Sequence, residues 1–411
     1  MEKFLARQPI FNSKLGVYGY ELLYRAGAEN RFFPGQTDVA SASAADNLLL
    51  FGLDRLTQGR RAFVNCTRDF LLRDYPALLP KDRVVLEILE DVVIDESLLD
   101  ACRRLKQAGY LLALDDYQES PDWQRLVSLA DFIKVDLLAT PPAEQLRLAR
   151  QFAHHNVRLV AEKVETHEDF QRTLRWGYSF FQGYFFSRPQ MVTHHDIPAS
   201  KMNYLAVLQT VNRSPLDMEQ VGQQIKAEAS LSYRLLRYLN SPAFFLAAEI
   251  HSIPHALALL GERGVRKWVS LVAVACLAEE KPEELILLPL VRARFCEKMA
   301  RSTGHAGAAN DLFLLGLLSA MDAILDMKME EVVQEVPVGR EIREALLGEP
   351  NSLRRILDLV LLYEKGAWEE IERAGARLKI PEGVISSTYV EATIWAREIL
   401  AGHPAGQAET R

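Results

Sequence analysis

The feature that most constrains the fold of this chain is a series of short apolar segments in its first half. Six segments rich in Val, Ile, Leu and Phe alternate with stretches of helical periodicity, such as residues 98–108 and 143–154. This alternation is typical of parallel strands covered by helices. The apolar segments are residues 62–65, 84–88, 111–114, 132–135, 159–161 and 180–181.

Two further strand candidates, residues 4–10 and 17–23, precede these six segments. The sharp connection at residues 12–16 predicts that these two strands are antiparallel neighbours. Eight strands are enough to close a barrel, so the sequence predicts an α/β fold, a (β/α)8 barrel with one antiparallel strand. In such barrels chemistry takes place at the carboxyl ends of the strands.

Polar residues lie where the apolar segments end. An unpaired buried charge is costly or is neutralised through a shifted pKa, so packing alone gives no reason to bury so many carboxylates. We therefore predict a single site, although a barrel could also keep these carboxylates as ion pairs with Lys134 and Arg25. The polar residues are Glu21, Asn65, Glu87, Asp115, Asp116, Lys134, Glu162 and Gln182.

Seven short motifs in the first half contain these residues. They are Glu21-Leu22-Leu23, Phe63-Val64-Asn65, Leu86-Glu87-Ile88-Leu89-Glu90, Leu114-Asp115-Asp116, Ile133-Lys134-Val135-Asp136, Ala161-Glu162-Lys163-Val164-Glu165, and Phe181-Gln182-Gly183-Tyr184 with Ser187-Arg188-Pro189. In this order they resemble the EAL domains of cyclic di-GMP signalling, which have Glu-Ala-Leu where the first motif stands. The resemblance covers roughly the first half of the chain.

The resemblance implies a two-metal phosphodiesterase that opens cyclic di-GMP to the linear dinucleotide. Hard divalent cations such as Mg²⁺ or Mn²⁺ prefer the oxygen ligands that these motifs supply. By motif position the implied metal ligands are Glu21, Asn65, Glu87 and Asp115, with Asp116 at the second metal. The other implied roles are Glu162 as general base, Lys134 at the phosphate or water, Gln182 near the water, Gln8, Arg25 and Glu21 at the dinucleotide, and Glu90, Asp136 and Glu165 as structural supports.

The segment after Asp116 departs from the family pattern. Active members continue with a glycine- and serine-rich loop, whereas residues 117–123 contain no glycine and include Pro121. We therefore favour cyclic di-GMP binding with weak or no hydrolysis, and the alternative is an active metal-dependent phosphodiesterase that produces linear pGpG. EAL barrels pair through this region, so a homodimer is a further prediction that the altered segment leaves open.

The second half of the chain has a different character, with apolar residues at three- and four-residue spacing. These helical patterns span residues 230–239, 266–277, 290–299, 312–325 and 389–400. The change predicts an EAL-like barrel domain at residues 1–197 and an all-α domain at residues 198–411.

Three segments of this half, residues 230–241, 250–261 and 313–320, resemble the HDOD domain, a relative of the HD phosphohydrolases. A catalytic HD protein would place a metal-binding His-Asp pair where this chain has Ser319-Ala320, and neither residue can replace a metal ligand. The resemblance therefore implies a non-catalytic domain that relays the state of the barrel to a protein partner.

The composition limits the partners. A net charge of −7 argues against a broad nucleic-acid surface. The longest near-apolar stretch, residues 268–278, is too short to span a bilayer, and the first residues lack a signal-peptide pattern. These observations predict a cytoplasmic protein without a membrane anchor. Because the cytosol is reducing and the four cysteines are scattered, we predict that they are buried thiols.

Overall fold

The structure is a computed structural model and describes residues 3–26, 53, 57, 59–73, 75–187, 199–239, 250 and 252–401. The chain divides into two compact units, Met1–Phe186 with Glu364–Gly366, and Ser187–Tyr363 with Ala367–Arg411. The first unit contains a closed eight-stranded barrel and the second is helical, which confirms the predicted fold class. The predicted boundary between residues 197 and 198 lies outside the described residues and stays a prediction.

The barrel closes with its strands in sequence order. The first strand runs antiparallel to both of its neighbours, and all other neighbouring pairs are parallel. The hairpin forms because Asn12 Oδ1 accepts hydrogen bonds from the backbone N–H groups of Lys14 (2.9 Å) and Gly16 (3.0 Å). The strands are β1 (Lys3–Asn12), β2 (Val17–Ala26), β3 (Arg61–Cys66), β4 (Val84–Ile88), β5 (Leu111–Leu114), β6 (Phe132–Asp136), β7 (Arg158–Glu162) and β8 (Phe180–Gln182).

Helices in the barrel unit follow its parallel strands. Their starts are set by local side chains: Asp95 accepts a hydrogen bond from the backbone N–H of Leu98 (2.9 Å), and Ser120 accepts one from that of Trp123 (3.3 Å). The helices are α1 (Arg68–Leu72), α2 (Glu96–Ala108), α3 (Pro121–Val127), α4 (Pro142–Phe152) and α5 (His167–Trp176), with short 3₁₀ turns at Tyr75–Leu78 and Phe185–Ser187.

A layer of apolar side chains fills the interior of the barrel. Phe63 and Phe132 pack edge to face with ring centroids 5.3 Å apart, and Tyr18 packs against Phe180 at 4.4 Å. The buried layer consists of Ile10, Phe63, Val85, Ala113, Phe132, Val160 and Phe180. It closes the barrel below the carboxyl ends of the strands.

The second unit is helical, as predicted. The predicted helix at residues 312–325 is interrupted at Ser319, whose hydroxyl donates a hydrogen bond to the Gly316 carbonyl (2.7 Å). The helices are α6 (Ala199–Asn212), α7 (Met218–Ala227), α8 (Ala229–Leu239), α9 (Ile253–Leu277), α10 (Glu283–Ser302), α11 (Ala309–Leu318), α12 (Met321–Leu325), α13 (Met329–Glu335), α14 (Arg340–Leu346), α15 (Ser352–Lys365), α16 (Trp368–Leu378) and α17 (Glu382–Ala401).

Two further expectations can be compared with the structure. The four cysteines are free and buried, which confirms their prediction as buried thiols. In the described part of the chain, no helix combines the length and the apolar character that a membrane span requires.

Candidate functional site at the carboxyl end of the barrel

A polar layer lies directly above the apolar layer of the barrel. Successive side chains of a strand point to opposite faces, so the next inward residue on each parallel strand lies two positions further along. The antiparallel β1 runs the other way, and its matching residue lies two positions before Ile10. The residues at these positions are Gln8, Asn65, Glu87, Asp115, Lys134, Glu162 and Gln182, and Glu21, which pairs with Gln8 on the adjacent β2, completes the polar layer.

Lys134 lies at the centre of this layer, and its side chain is only 1% exposed. Its Nζ is 2.7 Å from Asp115 Oδ1, 2.8 Å from Glu162 Oε1 and 2.9 Å from Glu87 Oε1. Glu21 Oε2 is the fourth carboxylate oxygen, at 3.3 Å. The structure thus brings the predicted Glu21, Glu87, Asp115 and Glu162 together around one ammonium group.

One ammonium cannot neutralise four buried carboxylates, and the pKa values reflect this imbalance. Burial raises the pKa of Glu162 to about 8, and it raises the pKa of Glu87 and Asp115 although the Lys134 charge opposes the shift. Burial alone would lower the pKa of Lys134, but the surrounding carboxylates hold it well above its ordinary value. The site therefore retains protons unless additional positive charge is bound.

Amide side chains fix the orientation of Glu21. Gln182 Nε2 donates hydrogen bonds to Glu21 Oε2 (2.6 Å) and to Gln8 Oε1 (2.9 Å), and Asn65 Nδ2 donates one to Glu21 Oε1 (3.2 Å). Although burial alone would raise the pKa of Glu21, the Lys134 charge and these hydrogen bonds hold it below its ordinary value. Glu21 is therefore the carboxylate of the layer that stays ionised most readily.

The donor set of this layer fits a hard divalent cation. Asn65 Oδ1, Gln182 Oε1 and Glu87 Oε2 are buried oxygens without a hydrogen-bond partner among the described residues. Buried oxygens of this kind are normally satisfied, and carboxylate and amide oxygens are the ligands that Mg²⁺ and Mn²⁺ prefer. Within the described residues, however, no group of three Asp, Glu, His or Cys side chains has the arrangement that a metal ion requires. The carboxylates contact Lys134 instead.

Asp116 follows the polar layer and is held in a fixed backbone conformation. Its φ is 41°, in the left-handed region that a residue with a side chain seldom adopts. On one side the Asp115 N–H donates to the Ile88 carbonyl (3.0 Å), and on the other the Tyr117 N–H donates to the Lys134 carbonyl (3.0 Å). Asp116 is thereby held beside the polar layer.

The segment that differs from the family pattern is packed onto the barrel unit. The Tyr117 ring is 4% exposed and makes edge contacts with Trp123 and Phe152, at centroid distances of 6.0 and 5.7 Å. Ser120 caps α3, and Pro121 occupies its first turn. Residues 117–123 are therefore a structured connection, as the absence of glycine indicates.

A close approach of two loops completes the rim of the site. Gly183 has a φ of 149°, and a Cβ atom there would lie 2.5 Å from the Val164 nitrogen. The Val164 N–H also donates a hydrogen bond to the Gln182 carbonyl (2.9 Å). Only glycine permits this contact, which ties the end of β8 to the turn that follows Glu162.

Sequence reasoning missed Lys163 as a residue of the rim. Its ammonium forms an ion pair with Asp136 Oδ2 and interacts electrostatically with Asp116 and Glu162. The signal was its position, directly after the implied base and at the end of β7. Asp136 accepts backbone hydrogen bonds from Leu138 (2.7 Å) and Ala139 (3.1 Å), which agrees with its predicted structural role.

Two predicted residues, Glu90 and Glu165, lie outside the polar layer, and a third, Arg25, is described only in its backbone. The backbone of Arg25 is part of β2, but its side chain lies outside the described residues. Glu90 and Glu165 are exposed in the turns after β4 and β7. A role in supporting the loops stays a prediction for these two glutamates.

In the helical unit, an arginine contacts Ser319, which with Ala320 stands where a catalytic HD protein would have its His-Asp pair. Arg292 is buried, and its Nη1 donates a hydrogen bond to Ser319 Oγ (3.2 Å). Nearby, burial raises the pKa of Asp322, and the Arg292 charge opposes this shift. The guanidinium group therefore supplies the positive charge at this end of α11.

Comparisons with known proteins agree with both resemblances. The EAL domain family matches residues 60–189 and the HDOD domain family matches residues 197–346. The uncharacterized protein YuxH of Bacillus subtilis is 34% identical over 97% of this chain and 99% of its own. The cyclic di-GMP phosphodiesterase CdgJ of Vibrio cholerae is 33% identical over 96% of this chain and 93% of its own. Among solved structures, Klebsiella pneumoniae BlrP1 in a calcium/cyclic di-GMP complex is 24% identical over 46% of this chain and 56% of that chain, with a TM-score of 0.38.

Proposed function

Because the chain belongs to the family of proteins in which an EAL domain is followed by an HDOD domain, we propose that its barrel binds cyclic di-GMP and that its helical unit relays the occupied or empty state to a protein partner. The observation that carries this proposal is the gathering of four buried carboxylates around Lys134 at the carboxyl end of the barrel. Such a layer has an excess of negative charge that a bound cation can balance, and the cation can in turn hold a phosphate group. A bound Mg²⁺ or Mn²⁺ would supply that charge and polarise a phosphate or a water molecule.

Each residue of the polar layer has a role in this proposal. Lys134, released from part of its contacts, would donate hydrogen bonds to a phosphate oxygen. Glu162 is the proton acceptor, but its pKa of about 8 means that it keeps its proton near neutral pH until more positive charge arrives. The residues that would hold cations are Glu21, Asn65, Glu87 and Asp115, with Asp116 at a second ion, and those that would contact or orient the dinucleotide are Gln8, Arg25 and Gln182.

One feature supports binding with weak or no hydrolysis. The connection after Asp116 is packed through Tyr117 and Trp123, so it has little freedom to reorganise around a second ion. The alternative, an active phosphodiesterase that yields linear pGpG, is favoured by the name of the relative CdgJ.

Calorimetry and product analysis on the full chain test this proposal. We expect cyclic di-GMP to bind in the presence of Mg²⁺ or Mn²⁺, and Glu21→Ala to weaken binding at least tenfold because it removes the carboxylate that both amides orient. Glu168→Ala, at an exposed glutamate in the first turn of α5, is the matched control and should bind like the wild type. Little or no linear dinucleotide should form above the level of Glu21→Ala.

Two outcomes would contradict the proposal. Robust formation of linear dinucleotide that Glu21→Ala abolishes would establish the phosphodiesterase alternative. Equal affinity of the wild type and Glu21→Ala, or no binding by the wild type, would show that the polar layer is not a cyclic di-GMP site.

A further inference from the structure

The helical unit contains a groove that the chemistry of the barrel does not use. The groove lies between residues 355–362 of α15 and residues 370–378 of α16, and its cavity measures about 590 Å³. Near the connection between the two helices, Tyr363 and Trp368 pack edge to face with ring centroids 5.4 Å apart, so this contact joins the helices at one end of the groove. The groove lies outside the residues that the HDOD family matches.

Part of the lining of this α15–α16 groove is apolar. Leu362, Ala374 and Leu378 line it with half-buried side chains. The opposite face of α16 is fixed, because a Cβ atom at Gly375 would lie 3.0 Å from Ile385 Cδ1 of α17. The groove therefore has a wall that is held in place and an apolar surface that gains from removal from water.

Three exposed arginines line the same groove, one on α15 and two on α16. The side chains of Arg355 and Arg377 make no hydrogen bond or ion pair with any residue that the structure describes. Arg373 Nε donates a hydrogen bond to the Glu369 carbonyl (3.1 Å), and its Nη2 is 3.8 Å from Glu369 Oε2. Because a guanidinium group is always charged and carries five N–H donors, the groove offers charged donors to an incoming acceptor.

The carboxylates beside the groove do not cancel this charge. Asp358 Oδ1 accepts a hydrogen bond from Arg354 Nε (2.7 Å), which makes that pair neutral. Glu369 and Glu370 are exposed on α16 and set two negative charges against the three arginines. The groove thus keeps an excess of positive charge, although the chain as a whole has a net charge of −7.

The positions of the arginines favour a helical peptide over a single small anion. Arg373 and Arg377 are four residues apart on α16, which is about 6 Å along the helix axis, and Arg355 stands on the other wall. A peptide helix with carboxylates one turn apart repeats this spacing. Apolar side chains next to those carboxylates would meet Leu362 and Leu378.

We propose that the α15–α16 groove is the docking site for an acidic, amphipathic helical segment of the protein partner. This inference rests on the part of the proposed function that gives the helical unit a protein partner, and it names the chemistry of that partner. The arginines bind the carboxylates of the segment through charge-assisted hydrogen bonds, and its apolar face covers the apolar part of the lining.

Fluorescence anisotropy of the full chain tests this inference. The probe is a labelled helical peptide with leucine on one face and glutamate one turn apart beside it. We expect the wild type to bind it and the double variant Arg355→Ala/Arg377→Ala to bind at least tenfold more weakly. This variant removes no contact among the described residues. The matched control Arg263→Ala/Arg301→Ala, at exposed arginines of α9 and α10, should bind like the wild type.

Two altered peptides and one small anion identify the class of ligand. A peptide with lysine in place of glutamate should not bind, and one with serine in place of leucine should bind at least tenfold more weakly. Pyrophosphate at the concentration of the peptide should leave the complex intact. Equal binding of the serine peptide, or displacement of the acidic peptide by pyrophosphate, would identify a small-anion site and overturn the inference.

The remaining outcomes separate this inference from the proposed function. No binding of the acidic peptide by the wild type, or equal affinity of the wild type and Arg355→Ala/Arg377→Ala, would overturn the inference. Calorimetry of the same variant with cyclic di-GMP should give the wild-type affinity, because neither arginine belongs to the polar layer. Peptide binding that depends on these arginines, in a chain that does not bind cyclic di-GMP, would support the inference and contradict the ligand of the proposed function.

Discussion

At the residue scale, the polar layer shows how one buried lysine and several carboxylates depend on each other. Lys134 is enclosed by carboxylates whose combined charge exceeds its own. A buried ion pair stabilises a fold only when its groups are well matched, because each charge has lost its water. The excess here is balanced by protons in the cation-free barrel, and this makes its stability depend on pH.

We expect the free energy of unfolding of the cation-free chain to fall as pH rises from about 4.5 to about 8. The pKa of Glu162 is raised in the folded chain, so its stabilising contribution is complete below the ordinary value of 4.5 and is lost as pH rises through about 8. The loss is on the order of a few kcal/mol at most, since one pKa unit corresponds to about 1.4 kcal/mol. Denaturant unfolding in a chelating buffer at several pH values measures it.

The matched variants for this measurement are Glu162→Gln and Glu168→Gln. Glu162→Gln should reduce the pH dependence because it removes the titrating carboxyl. Glu168→Gln, at an exposed position in the first turn of α5, should retain the wild-type dependence. The same slope in the wild type and Glu162→Gln would show that Glu162 does not keep its proton in the folded barrel.

At the element scale, two features place the side chains: the repeat of a strand or helix along the chain, and the close approach of two neighbouring backbones. The barrel strands present every second residue to the interior, which is why the polar residue lies two positions after a core residue on the parallel strands β3 to β8 and two positions before Ile10 on the antiparallel β1. In the helical unit, α10 and α11 approach closely at Gly316, where a Cβ atom would lie 2.5 Å from the Ala293 nitrogen. This contact sets the packing of the two helices.

We predict that Gly316→Ala lowers the free energy of unfolding by roughly 1–3 kcal/mol, because the added methyl group forces α10 and α11 apart. Gly307→Ala is the matched control, since nothing lies within 4 Å of the Cβ position there. Chemical denaturation of the full chain measures the loss, and hydrogen exchange of peptides from α10 and α11 locates it. Equal free energies of unfolding for the two variants would mean that α10 and α11 accommodate the added methyl group without loss of stability.

At the scale of the whole molecule, the two units carry different parts of the proposed function. The barrel supplies the polar layer, and the helical unit has Ser319-Ala320, with Arg292 hydrogen-bonded to Ser319, where the resemblance would place a His-Asp pair in a catalytic HD protein. The helical unit is therefore assigned a relay role in the proposal. Homodimerisation and binding of a protein partner by the helical unit stay predictions.

If the relay role is correct, cyclic di-GMP should change hydrogen exchange in both units. We expect peptides from residues 199–401 to change their exchange rate at least twofold on ligand addition, because a relay requires that the ligand favour one state of the helical unit. Mass spectrometry of the full chain measures this, with Glu21→Ala as the variant that should show no change. Protection confined to peptides from residues 3–187 would contradict the relay.

Much of the fold and of the candidate site could be predicted from local pattern. All eight strands lie where the apolar segments predicted them, although β2 continues past Leu23, the predicted end, to Ala26. The predicted helix at residues 312–325 is two helices, because the periodic pattern does not reveal that the Ser319 hydroxyl binds the Gly316 carbonyl. Lys163 was missed for a similar reason, since nothing local identifies Asp136 as its partner.

The sequence by itself determined the alternation of strands and helices, the polar residue that follows each core position, and the family to which the chain belongs, because these are properties of neighbouring residues. Only the tertiary structure decided that carboxylates from β2, β4, β7 and the end of β5 meet at Lys134, and that Lys163 pairs with Asp136. Those distances join residues as far apart as Glu21 and Lys134. They are set by closure of the barrel and by the register of its strands, which no local pattern contains.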